Sequence, residues 1–227
     1  HNPYQVPEPY FDMFPPETLP PVKGKEEDLP KKGERFVWLR QVWEKILGEN
    51  IESRILRARS NYLGMLRLID DQMKRLVEGV RERGLEDNTI FLYLSDHGDF
   101  AGEYGLIRKG PDLPDVLCHI PFVWRGPGIR QIGRTAEGYV SIVDILPTIC
   151  DYLDVPVPFG CQGKSILPLL NGTEYPHGEY ECAFAESGFG GLYWNNGDQL
   201  DLVSEGASRN METCDCLNTW TQCGQVR

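Results

Sequence analysis

The sequence predicts an α/β fold, part of a doubly wound sheet flanked by helices, and three stretches predict it. From Ile51 to Arg83, apolar residues including Tyr62, Leu63, Leu66, Ile69, Met73 and Leu76 recur at three- and four-residue spacings, the period of an amphipathic helix. A short link, Leu85 to Asn88, leads into the apolar run Ile90 to Leu94, which reads as a buried central strand. The order then repeats, with Pro121 to Trp124 as a strand and Ser141 to Leu153 as a helix. Helices and strands alternating across short links favour layered α/β packing.

Residues 1–34 are rich in proline and charge and read as an extended surface segment, because proline removes donors and keeps its predecessor out of the helix. Glu34 to Leu47 is predicted as an amphipathic packing helix carrying Trp38, Leu39, Val42 and Trp43, stopped by Gly48. Gly84 closes the long helix that follows. Its charged residues form a solvated face. The strand Ile90 to Leu94 breaks into Ser95-Asp96-His97-Gly98-Asp99. Sites in such sheets lie beyond the carboxyl ends of the strands. A carboxylate beside an imidazole at a strand tip suits a metal ion, so Asp96 and His97 are candidate ligands. The plainer reading is a polar turn closed by an Asx-type hydrogen bond. Gly98 is predicted to give the backbone room to turn away. Lys109, twelve residues past His97, is predicted to return a positive charge to the same place.

Beyond Lys109 the loop to His119 is irregular, with His119 read as a polar residue at a strand entry. Arg125-Gly126-Pro127-Gly128 is a turn. Pro147 is expected to interrupt or bend the helix around it. Asp144, a lone carboxylate there, reads as a cap or surface group. Val155 to Gly172 is loop-like, and Ala183 to Glu186 is a short strand. Gly188 to Trp194 lacks the lysine and frame of a phosphate loop. The last thirty residues have no strong period.

At 227 residues the chain can bury one substantial core and form one or two domains. A formal charge of −11 argues against a nucleic-acid surface. It leaves room for an anionic substrate, because a local cation reverses the field. No run reaches the ~18 apolar residues of a membrane span. The seven cysteines are compatible with an oxidising compartment, periplasmic or secreted. Cys214, Cys216 and Cys223 lack a fourth ligand of matching spacing, so structural or free thiols are favoured over zinc. Asn171-Gly172-Thr173 fits a glycosylation sequon.

The stretch Thr89 to Gly110, T-I-F-L-Y-L-S-D-H-G-D-F-A-G-E-Y-G-L-I-R-K-G, resembles the sulfatase family of the alkaline-phosphatase superfamily. Further blocks extend the resemblance in order. These are Asn61 to Leu76, Ile120 to Ile129 (I-P-F-V-W-R-G-P-G-I), Val140 to Ile149 (V-S-I-V-D-I-L-P-T-I) and Cys161 to Leu170 (C-Q-G-K-S-I-L-P-L-L). The opening H-N-P-Y resembles the family's His-x-Pro segment. The resemblance is good from His1 to about Gly172.

It implies an alkaline-phosphatase-like mixed sheet and a metal-dependent sulfuric ester hydrolase acting on a small-molecule or saccharide sulfate ester. Asp96 and His97 would be metal ligands. Lys109 and His1 would contact the sulfate oxygens, with His1 also a proton donor. The family's Cys/Ser-x-Pro-x-Arg motif, whose first residue becomes the formylglycine nucleophile, has no match here. Cys118, followed by His-Ile-Pro-Phe, does not supply it. The expectation is therefore a C-terminal half of a catalytic domain in residues 1–172, a further region beginning at 173–227, and the N-terminal half of the same protein as partner. The family association favours Ca²⁺. Many members have Asn where His97 stands, and the nitrogen here makes Mn²⁺ the alternative. The Asp-His pair with its lysine also resembles the phosphonate monoester hydrolases and phosphodiesterases of the superfamily. A non-catalytic, sulfatase-like fragment is the reading outside enzymes.

Overall fold

The computed structural model describes residues 3–110, 112–130, 133, 135–176, 178–187 and 222–226. Two units divide the chain. The first is built from His1–Leu76 and Gly98–Leu117, the second from Val77–His97 and Cys118–Glu186. The helices are α1 (Leu29–Lys32), α2 (Glu34–Leu47), α3 (Ile51–Glu82), α4 (Asp115–Cys118), α5 (Ile145–Tyr152) and α6 (Leu167–Asn171). The strands are β1 (Phe91–Leu94), β2 (Phe122–Arg125), β3 (Ala183–Ser187) and β4 (Gln222–Val226). The architecture is mixed α/β, as the sequence predicts.

In the first unit, α2 buries Trp38, Leu39, Val42 and Trp43, one stripe of a 3.6-residue period. Gly48 ends it at φ 68°, a conformation that L side chains adopt only under strain. The start of α3 adds Ile51 and Ile55 to the same core, and the loop beyond β1 adds Phe100 and Leu106, both fully buried. Each large apolar side chain so buried contributes about 1.5–3 kcal/mol. The proline-rich opening is more than surface covering, because side chains of α3 hold its backbone. Asn61 donates to the Tyr4 carbonyl at 2.8 Å and Ser60 to the Phe14 carbonyl at 2.5 Å. At Gly64 a Cβ would lie 2.4 Å from the Tyr10 carbonyl oxygen, so the strap crosses the helix where a side chain is missing. Further along α3 the predicted apolar stripe is exposed at Leu66, Ile69 and Leu76.

In the second unit, β1 and β2 pair antiparallel, with Phe91 opposite Arg125 and Leu94 opposite Phe122. The predicted buried strand is half-buried along its whole length. Strand β2 alternates, with Val123 exposed, while Phe122 and Trp124 meet edge to face at 5.9 Å and pack against Ile166, just before α6, and Leu169 within it. The predicted break at Pro147 does not occur there. A short 3₁₀ turn (Ile142–Asp144) passes into α5, and Pro147 sits in the first turn of α5, where no intrahelical donor is required. Of the two expectations for Asp144, cap or surface group, the structure shows the first in the form of a capping box, with Ser141 as the N-cap and Asp144, buried, as its acidic partner. One carboxylate oxygen accepts the Ser141 N–H at 2.8 Å and the other the Lys164 N–H at 2.9 Å. The segment is close-packed here, because a Cβ on Gly163 would meet the Val143 carbonyl oxygen at 2.0 Å. Part of the predicted loop Val155 to Gly172 forms α6. Strand β3 pairs with β4. The glycine-rich Gly188 to Trp194, Cys214 and Cys216 lie outside the described residues.

Candidate active site

Asp96 and His97 follow directly on β1. The Ser95 hydroxyl donates to the His97 carbonyl at 2.7 Å, and the His97 N–H donates to Asp96 Oδ1 at 3.0 Å. This is the polar turn of the plainer reading, and it coexists with the metal-site reading. While Oδ1 serves the turn, Oδ2 stands 3.5 Å from His97 Nε2. Cation–donor bonds of about 2.1–2.4 Å meeting at a right angle put their donors about 3.2 Å apart, so the two atoms suit neighbouring places on one cation. The Asp96 side chain is 84% exposed and His97 30%, which leaves the carboxylate open to an incoming ion. Burial raises the Asp96 carboxyl pKa, but His97 and the backbone N–H groups of Asp96 and His97 outweigh it. The carboxyl is held below its usual range and stays ionised at neutral pH. Among the described residues no group of three or more His, Cys, Asp or Glu side chains is placed to hold a metal. The pair fits as two members of a larger shell.

Lys109 belongs to the first unit and is described within it. It ends a tightly held loop. The Gly98 N–H donates to the Leu117 carbonyl, Phe100 N–H to Arg108, and Gly102 N–H to Leu106, at 2.8, 2.9 and 2.8 Å. Glu103 accepts the backbone N–H groups of Lys23 and Gly24. The buried Arg40 guanidinium donates to the Gly105 carbonyl at 2.9 Å and pairs with Glu26, Glu44 and Glu52. Beyond Lys109, the buried Asp112 carboxylate pairs with the buried Arg35. A half-buried lysine is thereby set on a loop fixed at both ends.

Gly98 is needed for a reason other than the predicted turn. A Cβ there would lie 2.0 Å from the Val116 carbonyl oxygen. Gly98→Ala is expected to destabilise the fold by about 1–3 kcal/mol through overpacking, read as a lowered midpoint in thermal unfolding. An unchanged midpoint would refute the close approach.

Thus the structure brings Asp96 and His97 together and places Lys109 on a rigid loop, while His1 lies outside the described residues. Tyr4, Asp99 and Arg108, which tie the lysine loop to the opening segment, escaped the sequence reading. Tyr4 and Arg108 stand inside the motif-bearing strings, but nothing local marks them as partners across 104 positions.

Known proteins resemble the chain over this same region. Residues 1–155 match the sulfatase family. An arylsulfatase of Clostridium perfringens is 32% identical over 193 residues, which cover 79% of this chain and 38% of that protein. The solved phosphonate monoester hydrolase of Agrobacterium radiobacter superposes with a TM-score of 0.73 at 29% identity, over 84% of this chain and 40% of that one. The phosphonate monoester hydrolase of Silicibacter pomeroyi superposes with a TM-score of 0.72 at 26% identity, over 84% and 39%. The chain spans about 40% of the length of these proteins. With the Asp-His strand tip, the lysine loop and the strand–helix order falling within one matched region, the chain belongs to the sulfatase family of the alkaline-phosphatase superfamily.

Proposed function

We propose that this chain forms part of a metal-dependent hydrolase that cleaves a monoanionic ester of a tetrahedral acid. The observation that carries the reading is the Asp96–His97 pair, a carboxylate and an imidazole with donor atoms 3.5 Å apart directly after a strand. Two substrate classes share the needed chemistry. A phosphonate monoester or phosphodiester and a sulfate monoester each present one negative charge spread over oxygens around a tetrahedral centre. The likeness to two phosphonate monoester hydrolases over 84% of the chain favours the phosphorus ester. The 32% identity to an arylsulfatase favours the sulfuric ester, on a small molecule or a saccharide, as the second reading.

A divalent cation held by Asp96 and His97, Ca²⁺ or Mn²⁺, would supply Lewis acidity toward an ester oxygen. Lys109 steadies the charge that grows on the ester oxygens. His1 contacts an ester oxygen and protonates the leaving group. The remaining ligands and the nucleophile, a formylglycine, come from sequence that this chain does not contain. Residues 1–172 act as the C-terminal part of the catalytic domain, and 173–227 begin the region after it. No helix among the described residues is long and apolar enough to cross a membrane.

The test is the ratio of kcat/KM for p-nitrophenyl phenylphosphonate and p-nitrophenyl sulfate in the full-length enzyme. The expected ratio exceeds one. A ratio below one selects the sulfatase reading, and no turnover of either ester overturns both.

His97→Asn replaces nitrogen by oxygen and is expected to move metal preference from Mn²⁺ toward Ca²⁺, because hard cations prefer oxygen. Altering groups that tune a metal site costs 10–100-fold, so the Ca²⁺/Mn²⁺ activity ratio of the reconstituted enzyme should rise by about tenfold or more. An unchanged ratio would remove His97 from the ligand set.

A further inference from the structure

We propose that Tyr4 is a positioning residue for Lys109, its hydroxyl pinning the loop that carries the lysine. The inference rests on the reading of Lys109 as a contact of the ester oxygens. The Tyr4 hydroxyl donates to Asp99, 2.8 Å from Oδ1 and 3.0 Å from Oδ2, and accepts the backbone N–H of Arg108 at 2.6 Å. One phenol therefore joins the two ends of the loop, the second residue after His97 and the residue just before Lys109.

Arg108 needs such a tie. Its φ is +65°, a left-handed conformation that non-glycine residues hold only when their surroundings impose it. Its N–H goes to Tyr4, its carbonyl accepts the Phe100 N–H at 2.9 Å, and its guanidinium lies 5.4 Å from the centre of the Trp43 ring. The direction in which the chain leaves Arg108 sets where Lys109 begins. Asp99 is fixed as well, since it also accepts the Ala101 N–H at 2.8 Å. Tyr4 is itself held. Its carbonyl accepts from Asn61 at 2.8 Å and its ring meets Tyr62 edge to face at 6.3 Å. Burial, then the Asp99 charge, push the phenol well above its ordinary pKa, so it stays a proton donor at neutral pH. Phenylalanine would fill the same space and keep the ring contact while losing both hydroxyl bonds.

The test is a double-mutant cycle in the full-length enzyme, with Tyr4→Phe, Lys109→Ala and the double variant. Misplacing a catalytic group by about 1 Å costs about 10²-fold in rate, so Tyr4→Phe is expected to lower kcat by about 10–100-fold with a much smaller change in KM. In the Lys109→Ala background the same substitution is expected to cost little further, because the group it positions is gone. Hydrogen exchange of the Arg108 amide in Tyr4→Phe should be about tenfold faster, the loss of one hydrogen bond. A wild-type kcat in Tyr4→Phe, or an equal loss with and without Lys109, overturns the inference. A wild-type rate in Lys109→Ala refutes the role of Lys109 itself, and unchanged exchange at Arg108 refutes the tie to Tyr4 independently of any activity.

Discussion

Asp96→Ala in the full-length enzyme is expected to lower kcat/KM by about 10³-fold or more and to reduce the bound divalent cation. Asp96 supplies the only carboxylate of the pair and its Oδ2 faces the His97 imidazole, so alanine leaves the imidazole as the one remaining donor of the pair. A divalent cation held through one imidazole alone is poorly matched, since Ca²⁺ takes an oxygen shell and Mn²⁺, the more tolerant of nitrogen, still binds mainly through carboxylate and water oxygens. Loss of one electrostatic partner of a transition state costs about 10²–10³-fold, and members of a catalytic unit fail together. The substitution also removes the acceptor of the His97 N–H, which loosens the turn that aims the imidazole. Steady-state kinetics and metal analysis of the purified variant check the result. A normal rate with normal metal content would refute the ligand assignment.

The 227-residue chain expressed alone is expected to show no turnover of an aryl sulfate or a phosphonate ester, with Ca²⁺ or Mn²⁺ added. The sequence has no Cys/Ser-x-Pro-x-Arg motif from which a formylglycine could arise. In the proposed reading Asp96 and His97 hold the cation and Lys109 steadies charge, and none of the three serves as the nucleophile. The effect is the whole catalysed rate. The half-exposed β1, the exposed Val143 in the turn before α5 and the exposed α5 residues Leu146 and Ile149 also make aggregation an expected outcome of expression alone. Clear turnover that disappears in Lys109→Ala would mean that the chain carries its own nucleophile.

Local pattern made the secondary structure legible. The periodicity between Ile51 and Arg83 predicted α3, observed over Ile51–Glu82, and Gly48 and Gly84 marked helix ends because positive φ is cheap only for glycine. The β-rich run ending at Leu94 predicted β1, and the polar residues after it predicted where the candidate ligands stand. These signals survive in one dimension because helix and strand periods are set by neighbours within a few residues. Burial was less legible. Leu66, Ile69 and Leu76 have the period of a packed face and are exposed, since a period shows which side chains would gain from cover and not what covers them.

The sequence by itself determined the α/β class, the family, and the Asp96, His97 and Lys109 candidates, each readable from a short string. Only the tertiary structure decided that Gly98 and Gly163 lie where a carbonyl oxygen leaves no room for a Cβ, and that Asp144 is a buried cap accepting from Lys164. It alone joined Tyr4 to Asp99 and Arg108, 95 and 104 positions away. Such contacts depend on the path of the whole chain. A hydrogen bond needs its partners within about 3 Å, and no local periodicity encodes which distant residues will arrive there.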